Sequence, residues 1–188
     1  VTLTLIATPG GLTSNVFLDW AAARAILDGV PNTSAWNSAT SDEQDQALVY
    51  ATTMLESIAY LGVKSTVSQA LNWPRQAVLD PDYGQQAGAI SGYMVGEGNW
   101  GVYLSYTDIP VRIQRATTLL ALEILRAGTG DVWGVEPTFD VKRKKVDVLE
   151  TEYQDPQRRR TGLRRYPSVW REIFPLTLAS VPRAVERG

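Results

Sequence analysis

The sequence predicts a mainly α fold: a small helical bundle of three main helices plus a short C-terminal helix, with a β-hairpin insertion and extended terminal arms. Three observations carry this. Apolar residues recur at three- and four-residue spacing over about 13–27, 42–59 and 110–127, the pattern of an amphipathic helix with one buried face. Each stretch opens on capping residues and closes at Gly29, Gly62 or Gly128. Between the second and third lies a Gly- and aromatic-rich segment, 83–106, that reads as strands and turns instead.

In chain order, Val1–Ala7 alternates like a short strand or extended arm and lacks the basic start of a signal peptide. Thr8-Pro9-Gly10-Gly11 is a joint. Thr13, Ser14 and Asn15 offer N-caps for a first helix through about Leu27, with Phe17, Trp20, Ala21, Ala25 and Ile26 as its apolar set. Trp36, in a polar linker, is assigned to the core. The second helix, about Asp42–Ala59, has Thr40 or Ser41 as cap and Glu43 or Gln44 as capping-box partner. Its acidic first turn suits the helix dipole, and Leu48, Ala51, Leu55 and Ile58 form its stripe. In the connector that follows, Pro74 keeps Trp73 out of helix, favouring a core plug over a surface hot spot. Ala89–Val95 and Trp100–Ser105 flank Gly96-Glu97-Gly98-Asn99 as a hairpin, in which Tyr93, Trp100 and Tyr103 would expose apolar surface for a protein contact, unless the segment packs as a loop on its own domain. The third helix takes Thr107 or Asp108 as cap and Pro110 in its first turn; Ile113, Ala116, Leu119, Leu120 and Ile124 line it. The structural core is therefore expected to include Trp20, Trp36, Leu55, Trp73, Pro74, Pro110 and Leu119.

Residues 1–140 read as one helical core that includes the 83–106 hairpin, and 141–188 as a basic C-terminal arm. In the arm, Val141–Val146 and Val148–Tyr153 form a strand pair bent near Asp147. A polar stretch with Arg158, Arg159, Arg160, Arg164 and Arg165 follows. A short helix, about Ser168–Phe174, then carries Trp170, Ile173 and Phe174, either as a docking peptide or as a cap on the chain's own core.

Composition narrows the function. The chain has 188 residues, no cysteine and no histidine, so the commonest general base and the usual soft metal ligands are missing. No Walker loop occurs. Gly96-Glu-Gly98-Asn-Trp-Gly101 fits G-x-G-x-x-G, but a strand-like stretch follows where the dinucleotide fold needs a helix. Asp80-Pro-Asp82-Tyr-Gly84 lacks the rest of a calcium loop. We expect no enzyme, no cofactor and no metal. No apolar run is long enough for a membrane span. Residues 1–141 hold 6 basic and 14 acidic side chains, net −8, whereas 142–188 hold 12 and 6, net +6. Such a basic tail on an acidic body fits an acidic partner, nucleic acid or protein, or contact with its own or a neighbouring body. Arginines near Tyr153 and Tyr166 suit single strands in kind, though the sequence offers no evident stacking platform.

The order of these pieces resembles the head–tail adaptor (head-completion or connector) proteins of tailed bacteriophages, and a related family of primosomal-type single-stranded-DNA-binding proteins. The resemblance rests on the Phe17/Trp20 helix and Trp36, the Asp42–Ala59 helix, Gln69-Ala-Leu-Asn-Trp-Pro-Arg75, and Asp108-Ile-Pro110 leading to Arg115-Ala-Thr117 and Leu120-Ala-Leu-Glu123. The Lys142–Tyr153 stretch and final short helix agree with it; the long 83–106 segment departs from it. An adaptor would be a structural protein of the virion neck. It would form a homo-oligomeric ring, usually of twelve copies, beneath the portal protein and assemble in the host cytoplasm. It would meet tail or stopper proteins and let genomic DNA pass without sequence reading or membrane contact. On that resemblance Trp170, Ile173 and Phe174, with Arg158, Arg159, Arg160, Arg164 and Arg165, would meet the portal or a neighbouring subunit. Tyr93, Trp100 and Tyr103 would meet a subunit or the tail. The alternative is a single-stranded-DNA-binding accessory protein.

Overall fold

The computed structural model describes residues 3–82, 102–128, 141–145, 150–153 and 162–180. Within these the fold is mainly α. Its helices are α1 (Trp20–Leu27), α2 (Ser34–Ser38), α3 (Ser41–Glu56), α4 (Val111–Ala127) and α5 (Pro167–Ile173). Two antiparallel pairs accompany them: β1 (Val63–Lys64) with β2 (Arg75–Gln76), and β3 (Val141–Lys145) with β4 (Glu150–Tyr153). In the second pair Val141 faces Tyr153 and Lys145 faces Glu150, with an irregularity after Val141.

Helix α4 is the axis of the body and packs on α1, α2, α3 and α5. It therefore buries more than one stripe: Ile113, Ala116, Leu120, Ala121 and Leu122, together with Thr117 and Thr118. The two threonines are tolerated inside because each hydroxyl donates to a carbonyl one turn back, Ile113 O at 2.8 Å and Gln114 O at 2.9 Å. Pro110 stands at its N-cap position; Ser105 and Thr107 instead hold Asp108 in the preceding turn. Leu119 is half-buried.

Helix α3 starts as its sequence says. Thr40 accepts from the Glu43 N–H, and a Glu43 carboxylate oxygen accepts from the Thr40 N–H at 2.7 Å. The Thr40 N–H, joined by the Thr40 hydroxyl, donates to this carboxylate and holds it below its usual range. Leu48, Ala51 and Leu55 are fully buried against α4.

The first helix is shorter than its apolar pattern. Asp19, not Thr13, Ser14 or Asn15, caps it by accepting from Ala22 N. Val16, Phe17 and Leu18 fill the core before the helix begins. Ser14 and Asn15 spend their polar groups on the N-terminal arm. Trp20 is a correction: it is 43% exposed, and its Nε1–H donates to Gln44 Oε1 at 2.6 Å. A half-wet indole anchored by its N–H replaces the expected core side chain. Trp36 lies in α2 with no exposure.

The Gln69–Arg75 motif is a knot at the end of α3. Gln69 donates to Leu71 O and Pro74 O. Asn72 N–H donates to Glu56 Oε1, and its side chain to Glu56 O. Arg75 donates from Nε to Leu61 O and from a terminal nitrogen to Gly62 O, both at 2.6 Å. Buried Trp73 meets Tyr60 edge-on at 5.4 Å, and the Trp73–Pro74 peptide is cis. Burial pushes the Tyr60 hydroxyl up; it donates to Leu55 O. Gly62 has φ +69°, and a Cβ there would overlap Gln76 O.

Of the expected 83–106 hairpin, residues 83–101 lie outside the described part, Tyr93 and Trp100 with them. The described end pairs with a different segment: Asp80 N–H donates to Val102 O, and Leu104 N–H to Val78 O, around a Leu79–Tyr103 bridge.

Candidate nucleic-acid interface

The C-terminal segment begins with Gly162 at φ +59°, which turns the chain into a 3-10 turn, Gly162–Arg165. Pro167 then opens α5 at a position where its missing N–H costs no helical bond. One side of this unit is core: Leu163, Val169, Ile173 and Leu176 are buried, and α5 lies along α4. The backbone closes it further, with Leu61 N–H donating to Leu176 O and Leu178 N–H to Ala59 O. This corrects the docking reading for Ile173 alone. Ile173 has no exposure and is unavailable as an anchor for a partner. The helix is a lid on the chain's own core because its apolar side matches the unfilled face of α4.

The other side presents an array that the sequence did not make evident. The Arg164 guanidinium lies 5.0 Å from the Trp170 ring centroid, and the Trp170 and Phe174 rings are 5.5 Å apart. Phe174 is 39% exposed and Trp170 half-buried. The i, i+4 spacing of Trp170 and Phe174, just after Pro167, was the signal that could have predicted this contact. Arg165 and Tyr166 adjoin the array, and Arg171 is exposed on α5. Arg164, Arg165 and Arg171 face one acidic residue in the segment, Glu172. Glu172 is drawn toward Arg112 of α4, 3.6 Å away. Arg112 also pairs with Asp82, which holds the Asp82 carboxyl below its usual range. Among the described residues, Asp82 and Glu172 are thus both engaged by Arg112 of α4. Arg158, Arg159 and Arg160 lie outside the described residues.

A stacked cation and two aromatic rings, one of them open to solvent, can take a nucleobase on the ring and a phosphate on the guanidinium. It supplies no general base or nucleophile. Among the described residues no group of three acidic side chains could hold a metal ion, and no helix is long and apolar enough to cross a membrane.

Away from this array lies an open groove of about 1030 Å³ between α2, α3 and the end of α4. Ala35, Ala39, Ala47 and Leu125 are among its apolar lining, Glu43 and Arg126 supply its charges, and Leu3 of the arm reaches it. Arg126 is engaged by Glu123 at 2.5 Å and by Asn32 O at 2.6 Å. Leu12, Val63, Val67 and Tyr106 are exposed on segments that hydrogen bonds join: Ala70 N–H to Gly11 O and Ser65 Oγ to Tyr106 O.

Neither curated proteins nor solved structures yield a match to this chain. A family model described as "Putative DnaT-like ssDNA binding protein" matches residues 2–188, and on that near-complete match the chain belongs to this DnaT-like family.

Proposed function

We propose that the chain is a non-catalytic accessory protein that binds single-stranded DNA, with the strand lying across Arg164, Trp170 and Phe174. The observation that carries this is the ring-and-guanidinium array on the outer side of α5, at an otherwise firmly packed helix. The family description points to the same ligand. Stacking tolerates every base, so the binding is expected to be independent of sequence. A duplex keeps its bases stacked inward and should bind less well.

The test is anisotropy of a labelled oligonucleotide over a salt series. Affinity should fall steeply as salt rises, and Trp170→Ala or Phe174→Ala should weaken binding by roughly 1–3 kcal/mol each, the usual worth of one stacked base. Salt-insensitive binding, or none, would reject the proposal.

A second reading, the head–tail adaptor of a phage neck, is favoured by a separate observation. Leu12, Val63, Val67 and Tyr106 expose apolar surface on connected segments, suited to neighbouring subunits, a portal or a tail protein. Electron-microscopy classes of the protein mixed with a cognate portal would decide it: coaxial rings would support an adaptor, and a monomer ignoring the portal would reject it.

A further inference from the structure

We propose that the bound single strand crosses α5 and sets its next phosphate on Arg112 and Arg115 of α4, at the place that Asp82 holds in the free protein. This rests on the single-strand reading above and extends its path. Val169 and Ile173 turn α5 toward the core. Successive helical residues are set about 100° apart. Trp170 and Phe174 therefore share one flank of α5, and Glu172 lies on the opposite one. Arg171 stands between the two flanks on the outer side, exposed. Glu172 marks where the far flank meets α4, because its Oε2 lies 3.6 Å from Arg112 Nη1. Arg115, one turn further along α4, is exposed. Among the described residues neither Arg115 nor Arg171 is in an ion pair.

Arg112 is already set for a phosphate. Glu172, whose side chain is largely buried, steadies one end of its guanidinium. The other edge is a two-nitrogen fork: Nε donates to Asp82 Oδ2 at 3.1 Å, and Nη2 donates to Asp82 Oδ1. Such a fork fits a phosphate as well as it fits a carboxylate. Asp82 is the replaceable partner. Its side chain is 66% exposed, and an exposed ion pair contributes little, so exchange for a phosphate costs little. Hydrogen bonds from Arg112 hold the Asp82 carboxyl below its usual range, and the Arg115 charge adds to this. Both cations thus act on whatever anion occupies the place. Nearby Asp80 accepts the Asp82 N–H at 2.9 Å rather than the fork. A carboxylate standing where the phosphate goes makes Asp82 a brake on binding, because the strand must displace it.

Two acids make the comparison. Asp28 is likewise 66% exposed and paired with an arginine, Arg24, at 3.1 Å. Asp82→Asn and Asp28→Asn therefore change the net charge equally. Each variant is shown to be folded by circular dichroism and titrated with a labelled oligothymidylate over a salt series. Asp82→Asn should tighten binding several-fold, and Asp28→Asn should leave it unchanged. Arg115→Gln should weaken binding and lower the salt slope by about 0.7, the share of one phosphate on a single strand. In Asp82→Asn/Arg115→Gln the gain should shrink, because the two residues act on one phosphate. Equal effects of the two Asp variants, weaker binding in Asp82→Asn, or a gain that persists undiminished without Arg115 would overturn the proposal. A parent chain that binds the strand and weakens in Trp170→Ala, while Asp82→Asn and Arg115→Gln change nothing, would reject this phosphate subsite alone. A parent chain that binds no strand would reject the single-strand reading as well.

Discussion

Arg75 shows how much structure one side chain can hold. Its guanidinium donates to the Leu61 and Gly62 carbonyls where the chain leaves α3, a place with no helical partners of its own. Hydrogen bonds from a charged donor are worth about 1.5–3 kcal/mol each. The bond to Gly62 O is open to water and counts for less, so Arg75→Ala should lower stability by roughly 2–4 kcal/mol, read as a fall in the urea midpoint. Glu56 in the same knot gives a pH signature. Burial raises its carboxyl above the ordinary 4.5, although the Asn72 N–H opposes the shift. The folded state then holds the proton more tightly than the unfolded state, so this group favours folding below about 4.5 and that contribution is lost as pH rises through the folded value. Glu56→Gln keeps an acceptor for Asn72 and removes the charge. Its stability relative to the parent should improve from pH 5 to pH 7 in paired urea titrations; an unchanged difference would reject the account. The residues of this knot were visible as a motif, and Trp73 and Leu55 were legible as core from hydrophobicity alone. The carbonyls that Arg75 and Gln69 serve were not, because they belong to segments brought near only by folding. Trp20 misled for the same reason: it lies on the apolar stripe, but buried Gln44 takes its N–H at the border of the core and leaves the ring half exposed.

At the scale of elements, α3 and α4 were legible because long periodic stripes with capping residues leave few alternatives. The short C-terminal helix was legible in extent but not in role. A seven-residue amphipathic helix after a polar stretch has the same pattern whether it covers its own core or a partner's. The deciding fact was the exposed face left on α4, which only packing reveals. Ile173→Ala should cost about 2–5 kcal/mol, and deletion of 154–188 should produce a chain with a lower, less cooperative thermal transition. A truncated chain that melts like the parent would restore the docking-peptide view. The 3-10 turn before α5 was not foreseen, since it depends on Gly162 taking a left-handed conformation.

For the whole molecule, the charge division between −8 and +6 was readable by counting, but which acids remain available was not. Asp82 and Glu172 are drawn to Arg112, which leaves the outer side of α5 more basic than a net charge of −2 suggests. If this side meets phosphates, Arg164→Gln/Arg165→Gln should reduce the slope of log affinity against log salt by about one to two, alongside a weaker affinity at every salt. An unaltered slope would move the phosphate contact elsewhere.

Gly62 carries a consequence for sequence divergence. Its left-handed backbone and the overlap that any Cβ would make with Gln76 O leave no room for another amino acid while β1 and β2 stay paired. Over evolutionary time, relatives that keep this knot should keep this glycine, whereas exposed Val67 nearby is free to drift. A saturation library selected for folding would display that contrast directly, as one barren column beside a permissive one.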